Sequence, residues 1–154
     1  MTVRTLIGTM HVSADPIEAR AVRAWVRKIL GYKSGNAVDE ITVPLIEVVT
    51  NSILHSRSGI KDSSGKPGEI YIALLCVDHA IRVEVSDEGP REKGGRPQIR
   101  SGGLIEQSGR GLKMVNAYSA GKWGFDQHVH DGEQTVWFEI STQRRAENEP
   151  ACVS

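Results

Sequence analysis

The chain has no surplus of charge. Nineteen Lys and Arg residues balance nineteen Asp and Glu over 154 residues. A general nucleic-acid binder carries a basic excess to neutralise phosphates, so that class is disfavoured, although a small local basic site is not excluded. No apolar run approaches the roughly 20 residues that a membrane helix needs. The first residues, "MTVRTLIGTMHVSADP", lack the charged-then-apolar order of a secretory signal. Cysteine is scarce: there are two, Cys76 and Cys152. With so few, the expectation is reduced thiols in a cytoplasmic protein, not a disulfide framework. No internal repeat and no second domain are visible. A hydrophobic content of 39% and a charged content of 25% suit one soluble domain with one core. That domain is expected over residues 1–141, with residues 142–154 as a tail.

The order of elements then follows from periodicity. Residues 3–12 alternate weakly and suit an edge strand. "SADPIEARAVRAWVRKILG" suits a helix capped by Asp15, with Pro16 at its first position and Glu18 completing a capping box. Val22, Trp25, Val26, Ile29 and Leu30 form its apolar face, and Gly31 can end it. A second helix is expected over residues 36–56, where Ile41, Leu45, Val48, Val49 and Ser52 share a sector of about 100°. Pro44 removes one backbone donor there and should kink the helix or move its start. "IYIALLCVDHAIRVEVSDE" suits two strands turning at residues 78–80. Residues 88–108 are charged and glycine-rich, the composition of a lid or binding loop. "GRGLKMVNAYSA" suits a helix entered through glycines, and "KWGFDQHV" with "TVWFEI" a closing hairpin. The expected fold class is α+β, a two-layer sandwich of a mostly antiparallel mixed sheet with helices on one face.

Three stretches carry polar groups where a core would not want them. In "IEVVTNSILHS", Glu47, Asn51 and His55 recur every four residues and make a stripe flanking the apolar face. A helix that lines a pocket has this pattern, and so does a solvated helix edge. In "VEVSDEGP", Asp87 ends an apolar strand, and Gly89 follows closely. A carboxylate there can accept from a ligand while the glycine admits it close to the backbone. In "SGRGLKMV", Gly109 and Gly111 precede or open a helix, and free amides at a helix N-terminus bind phosphate.

Taken in order, these stretches resemble the N, G1 and G2 boxes of the GHKL (Bergerat-fold) ATPase superfamily. The form "EVVTN…H" and the ending "GRGLKMVNAYSAGKWGF…TVWFEI" resemble one branch, the bacterial anti-sigma-factor serine/threonine kinases and their stand-alone ATP-binding relatives. The resemblance covers roughly residues 5–141 and implies roles at the matching positions. Asn51 would ligate a Mg²⁺ ion that bridges the ATP phosphates, and Glu47 would be the general base. His55 would support the phosphate site or simply pack. Asp87 would accept from the adenine amino group, Gly89 would let the base approach, and Thr135 would assist Asp87. Gly109, Arg110, Gly111 and Leu112 would line the phosphates, with backbone amides as donors. The implied activity is phosphorylation of a small anti-sigma-factor antagonist by a protein that also binds a sigma factor, possible as a homodimer. The alternative is a non-catalytic ATP-binding or partner-binding module of the same fold. A methyltransferase-like reading of "VEVSDEGP" is disfavoured, because that fold places its glycine turn after an early strand.

One departure is plain. The G1 box usually reads Asp-x-Gly-x-Gly, but here it reads Asp87-Glu88-Gly89-Pro90-Arg91. Arg91 replaces the second glycine and could offer a cation to phosphate.

Overall fold

A computed structural model of the chain describes residues 3–31, 35–91, 106–128 and 130–142. Five strands form one open sheet: β1 (Arg4–Ser13), β2 (Glu69–Val77), β3 (Ala80–Asp87), β4 (Trp123–Gln127) and β5 (Gln134–Ser141), in the order β1-β2-β3-β5-β4. Every pairing among them is antiparallel. The sheet is therefore antiparallel throughout, where a mixed sheet with mostly antiparallel pairs was expected. Three helices, α1 (Ala19–Leu30), α2 (Gly35–His55) and α3 (Glu106–Ser119), complete the α+β sandwich.

Alternation explains why the helices pack on one face. Ile70, Ile72 and Leu74 of β2, Ile81, Val83 and Val85 of β3, and Val136, Phe138 and Ile140 of β5 are all buried in one cluster. From the helices, Val22 and Val26 of α1, Ile41, Leu45, Val48 and Val49 of α2, and Val115 of α3 join the same cluster. Burying a branched aliphatic side chain contributes about 1.5–3 kcal/mol, so this shared core dominates the stability of the fold. The opposite face carries Tyr71, Arg82, Glu84, Ser86, Thr135, Trp137 and Glu139, the intervening residues of the same strands. Arg82 is nearly buried even there, paired with Glu84 at 2.9 Å and Glu139 at 3.0 Å, with its guanidinium 4.1 Å from the Trp137 ring centroid. Trp137 in turn lies over Gly124, where an added Cβ would meet the indole at 2.8 Å.

The expected element boundaries hold with local changes. β1 lies at an edge of the sheet, as its weak alternation suggests. Asp15 accepts from the Ile17 amide at 3.0 Å, but the turn it caps is a 3-10 turn, Pro16–Glu18, that leads into α1. The Asp15 amide, which Glu18 was expected to accept from, donates to the Ser13 carbonyl at 2.8 Å, so the capping box does not form. α2 begins at Gly35 and continues through Pro44. Buried residues on both sides of Pro44, Ile41 and Leu45 among them, hold the helix against the sheet despite the missing donor. Among the described residues, no helix is long and apolar enough to cross a membrane.

The cysteine expectation is overturned. Cys76 is disulfide-bonded. A disulfide needs two Cα atoms within about 7 Å, and chain spacing does not reveal which residues the fold brings that close. Cys152, the other cysteine of the sequence, lies outside the described residues.

Candidate functional site

Where α2 ends against the exit of β3, the buried polar residues Ser52, Ser56, Ser58, Asp87 and Gln134 come together. Asp87 is the last residue of β3 and shares the helix-facing side with Val83 and Val85. It is only 5% exposed, which makes it the buried carboxylate of the site. Desolvation is the strongest influence on it and raises its pKa above the ordinary carboxylate value. Hydrogen bonds act in the opposite direction: the Ser52 hydroxyl, the Gly89 amide and the Gln134 side chain all favour the ionised form. The Gly89 amide donates to Asp87 Oδ1 at 2.8 Å, and Gln134 Nε2 lies 3.5 Å from Oδ2.

Ser52 ties Asp87 to α2. At 100° per residue, the stripe of Glu47, Asn51 and His55 is centred about 100° around the helix from Ser52. The stripe therefore flanks the side of α2 that meets Asp87, the arrangement that its spacing suggests. Glu47 and Asn51 are half-buried, and His55 is exposed at the last position of α2.

A clasp fixes the turn after Asp87. Arg57 follows α2 in a 3-10 turn, Arg57–Gly59. Its amide donates to the Gly89 carbonyl at 2.8 Å, and its guanidinium donates to the Glu88 carbonyl. The Ser58 hydroxyl accepts from the Glu88 amide at 2.9 Å, and the Ser58 carbonyl accepts from the Gly68 amide at 2.7 Å. Arg91 completes the clasp. Its guanidinium donates to the Ser56 carbonyl at 2.9 Å and to the Ile53 carbonyl at 3.1 Å. Carbonyls at a helix C-terminus have no intrahelical donors, and a cation there also offsets the helix dipole. Arg91 thus caps α2, a different task from offering its charge to phosphate.

Several site expectations are corrected by this geometry. Gly89 does have a left-handed backbone, φ 95°, but the Gly132 carbonyl already occupies the space that its missing side chain leaves. An added Cβ would sit 1.9 Å from that oxygen, so the glycine is needed for contact within the protein. Thr135 was expected to assist Asp87 directly or through water, and among the described residues it makes no direct contact with it. Its hydroxyl lies 2.7 Å from that of Ser86, on the other face of the sheet. The pleat sends adjacent residues to opposite faces, so Gln134 is the β5 residue beside Asp87. Nor do glycines open α3, which starts at Glu106 and holds Gly109 at its fourth position and Gly111 at its sixth. The unpaired amides of a helix are its first four. Counted from the N-cap, those four end at Ser108, so the amides of Gly109, Arg110, Gly111 and Leu112 all lie beyond them. Leu112 is also a buried residue, 3% exposed. The expected lid lies mostly outside the described residues, at 92–105.

Ser52 and Gln134 carry no role in the sequence reading, yet both reach Asp87. Alternation back from Phe138 and Val136 was the available signal for Gln134. A separate cluster, His128, Asp131 and Glu133, lies exposed in the turn between β4 and β5, with one donor atom from each within 4.8 Å of the others. It is the metal-capable group found among the described residues, and neither Asn51 nor Asp87 belongs to it. Neither a protein-family model nor a curated protein matches the chain.

Proposed function

We propose that the chain binds Mg²⁺-ATP and acts as a serine/threonine protein kinase of the anti-sigma-factor type that its three boxes resemble. Its partners would be a small anti-sigma-factor antagonist, phosphorylated on a hydroxyl, and a sigma factor. The observation that carries this reading is Asp87: a buried carboxylate held by Gly89 and Ser52 beside the Glu47–Asn51 stripe. Titratable groups whose pKa is shifted by burial cluster at functional sites, which is the support Asp87 lends to this reading.

The residues at the base end fit such a nucleotide. Asp87 is an oriented acceptor, and the side-chain oxygen of its neighbour Gln134 is buried with no hydrogen-bond partner among the described residues. Bound ATP would supply the transferable phosphoryl group. Asn51 would give its side-chain oxygen to Mg²⁺, which favours hard oxygen ligands. Glu47 would take the proton of the incoming hydroxyl, a step a serine acceptor needs at neutral pH. Asp87 would orient the base, accepting from its amino group.

A second reading also rests on specific observations. Arg91 is committed to the end of α2, and Gly132 fills the space at Gly89. Both favour a non-catalytic module in which the old nucleotide turn is braced from within and the protein acts by partner binding. The kinase reading places the protein in the cytoplasm. The Cys76 disulfide weighs the other way, because such bonds are rare in reducing compartments.

Phosphotransfer from radiolabelled ATP to candidate antagonists separates the two. The kinase reading expects transfer by the wild type and none by Glu47→Ala. No transfer by the wild type, with partner binding unaffected by Glu47→Ala, would establish the second. Asn51→Ala is expected to abolish Mg²⁺-dependent ATP binding or turnover. Unchanged Mg²⁺-ATP affinity and turnover in that variant would remove Asn51 from the site.

A further inference from the structure

Gln134 raises a question that the resemblance does not. It is 7% exposed, and among the described residues its Oε1 has no hydrogen-bond partner. Leaving a buried acceptor unsatisfied forfeits its hydration with nothing in exchange. Most buried polar atoms in folded proteins find a partner, so an orphan beside a buried carboxylate calls for a reason.

The carboxylate fixes which end of the amide is the orphan. Nε2 faces Asp87 Oδ2 at 3.5 Å. Turning the amide over would set its oxygen against a charged oxygen, which is repulsive while Asp87 is ionised. The nitrogen therefore stays on the Asp87 side, and the oxygen is the end left over. The Nε2 contact is at the long limit of a hydrogen bond, so this bond by itself constrains the amide weakly. A small swing can bring Oε1, now closed off from solvent, to face a ligand.

Asp87 Oδ1 is already engaged by the Gly89 amide, and Asp87 also interacts with Ser52. A carboxylate still has lone pairs beyond those contacts, and a side-chain amide oxygen has two. The corner therefore offers two neighbouring acceptors and calls for a ligand group with two donor hydrogens. An exocyclic amino group is such a group, and a carbonyl in its place would meet only oxygens.

Resting on the nucleotide reading above, we infer that Gln134 is a second base-reading residue, whose side-chain oxygen and the Asp87 carboxylate together select a base with an exocyclic amino group. Discrimination is strong where a site built to hydrogen-bond a ligand group is left with an unpaired polar atom. Losing the Gln134 acceptor removes one neutral hydrogen bond, worth about tenfold in affinity.

The test measures ADP and inosine diphosphate binding by calorimetry. The two ligands differ at this edge, where inosine diphosphate carries an oxygen in place of the amino group. Wild type is expected to prefer ADP. Gln134→Met should weaken ADP about tenfold and leave inosine diphosphate nearly unchanged, so that the preference narrows. Gln134→Leu serves as a second variant should the first fold poorly, and thermal unfolding of each confirms the folded state. A merely structural role for Gln134 would weaken both ligands equally and keep the ratio, which would overturn the inference. ADP binding with an unchanged preference in both variants would overturn it alone and leave the nucleotide reading standing. Failure of wild type to bind ADP at all would overturn both.

Discussion

Gly89→Ala tests the clasp without any assumption about function. The residue sits at φ 95°, and its added Cβ would meet the Gly132 oxygen at 1.9 Å. A relaxed C···O contact is roughly 3.3 Å or longer, so the two segments must separate by more than about 1 Å. That movement breaks the Arg57 amide bond to the Gly89 carbonyl and the Gly89 amide bond to Asp87, both 2.8 Å. The left-handed backbone costs an alanine about 1–2 kcal/mol. The neutral hydrogen bond adds about 1 kcal/mol and the charged one about 2 kcal/mol. The total is about 4–5 kcal/mol. Gly65→Ala is the matched control. Gly65 has a similar φ of 81°, but nothing lies within 4 Å of its added Cβ, so only the backbone penalty applies. The two variants should therefore differ by about 3 kcal/mol. Urea unfolding at equal m-values reads this as a gap of about 2 M between midpoints, for a slope near 1.5 kcal/mol per M. Equal midpoints for the two variants would refute the contact between Gly89 and Gly132 as a constraint on the fold.

Two further outcomes follow from the same corner. Asp87→Asn should stabilise the ligand-free protein at pH 7 while removing nucleotide binding. The native carboxyl has a raised pKa, so above pH 3.8 the native state holds its proton more tightly than the unfolded chain. Wild-type stability then falls as pH rises from that value through the raised native pKa, and the variant escapes this loss. Its advantage should open with rising pH and vanish in acid; thermal unfolding across pH, showing a variant no more stable at pH 7, would contradict the desolvation argument. Arg91→Ala should cost about 1 kcal/mol through lost capping of the Ile53 and Ser56 carbonyls. Denaturant titration with and without ADP checks it: a variant of unchanged stability but greatly weakened ADP binding would return Arg91 to the phosphate role.

The sequence made some of this fold readable and hid the rest for physical reasons. The apolar sector of α2 was legible because a 3.6-residue period leaves a mark: Ile41, Leu45, Val48, Val49 and Ser52 are all buried. The two central strands were legible from alternation, and their turn lies at residues 78–79. Gln134 was within reach of the same rule, since it shares a face with Val136 and Phe138. Thr135 lies one residue away, and in a strand one residue means the opposite face. Arg91 and Gly132 were out of reach. Their partners are Ile53, Ser56 and Gly89, between 35 and 43 residues away along the chain, and no local pattern signals such contacts. The Cys76 disulfide leaves no mark in composition, which speaks of compartments and not of distances.

The clasp has a consequence for how signals cross the molecule. Arg57, Ser58 and Arg91 bind the end of α2 and the turn after Asp87 into one unit. Just beside that unit, Leu54 and Ile60 stand 44% and 52% exposed. A protein that seats on those two side chains and shifts the end of α2 also shifts Ser52 and the turn that orient Asp87. Thermodynamics makes such influence mutual: whatever factor the partner imposes on a ligand at Asp87, the ligand imposes on the partner. Were both ends to bind ligands, the hydrogen bonds that brace the turn would be the physical link between them.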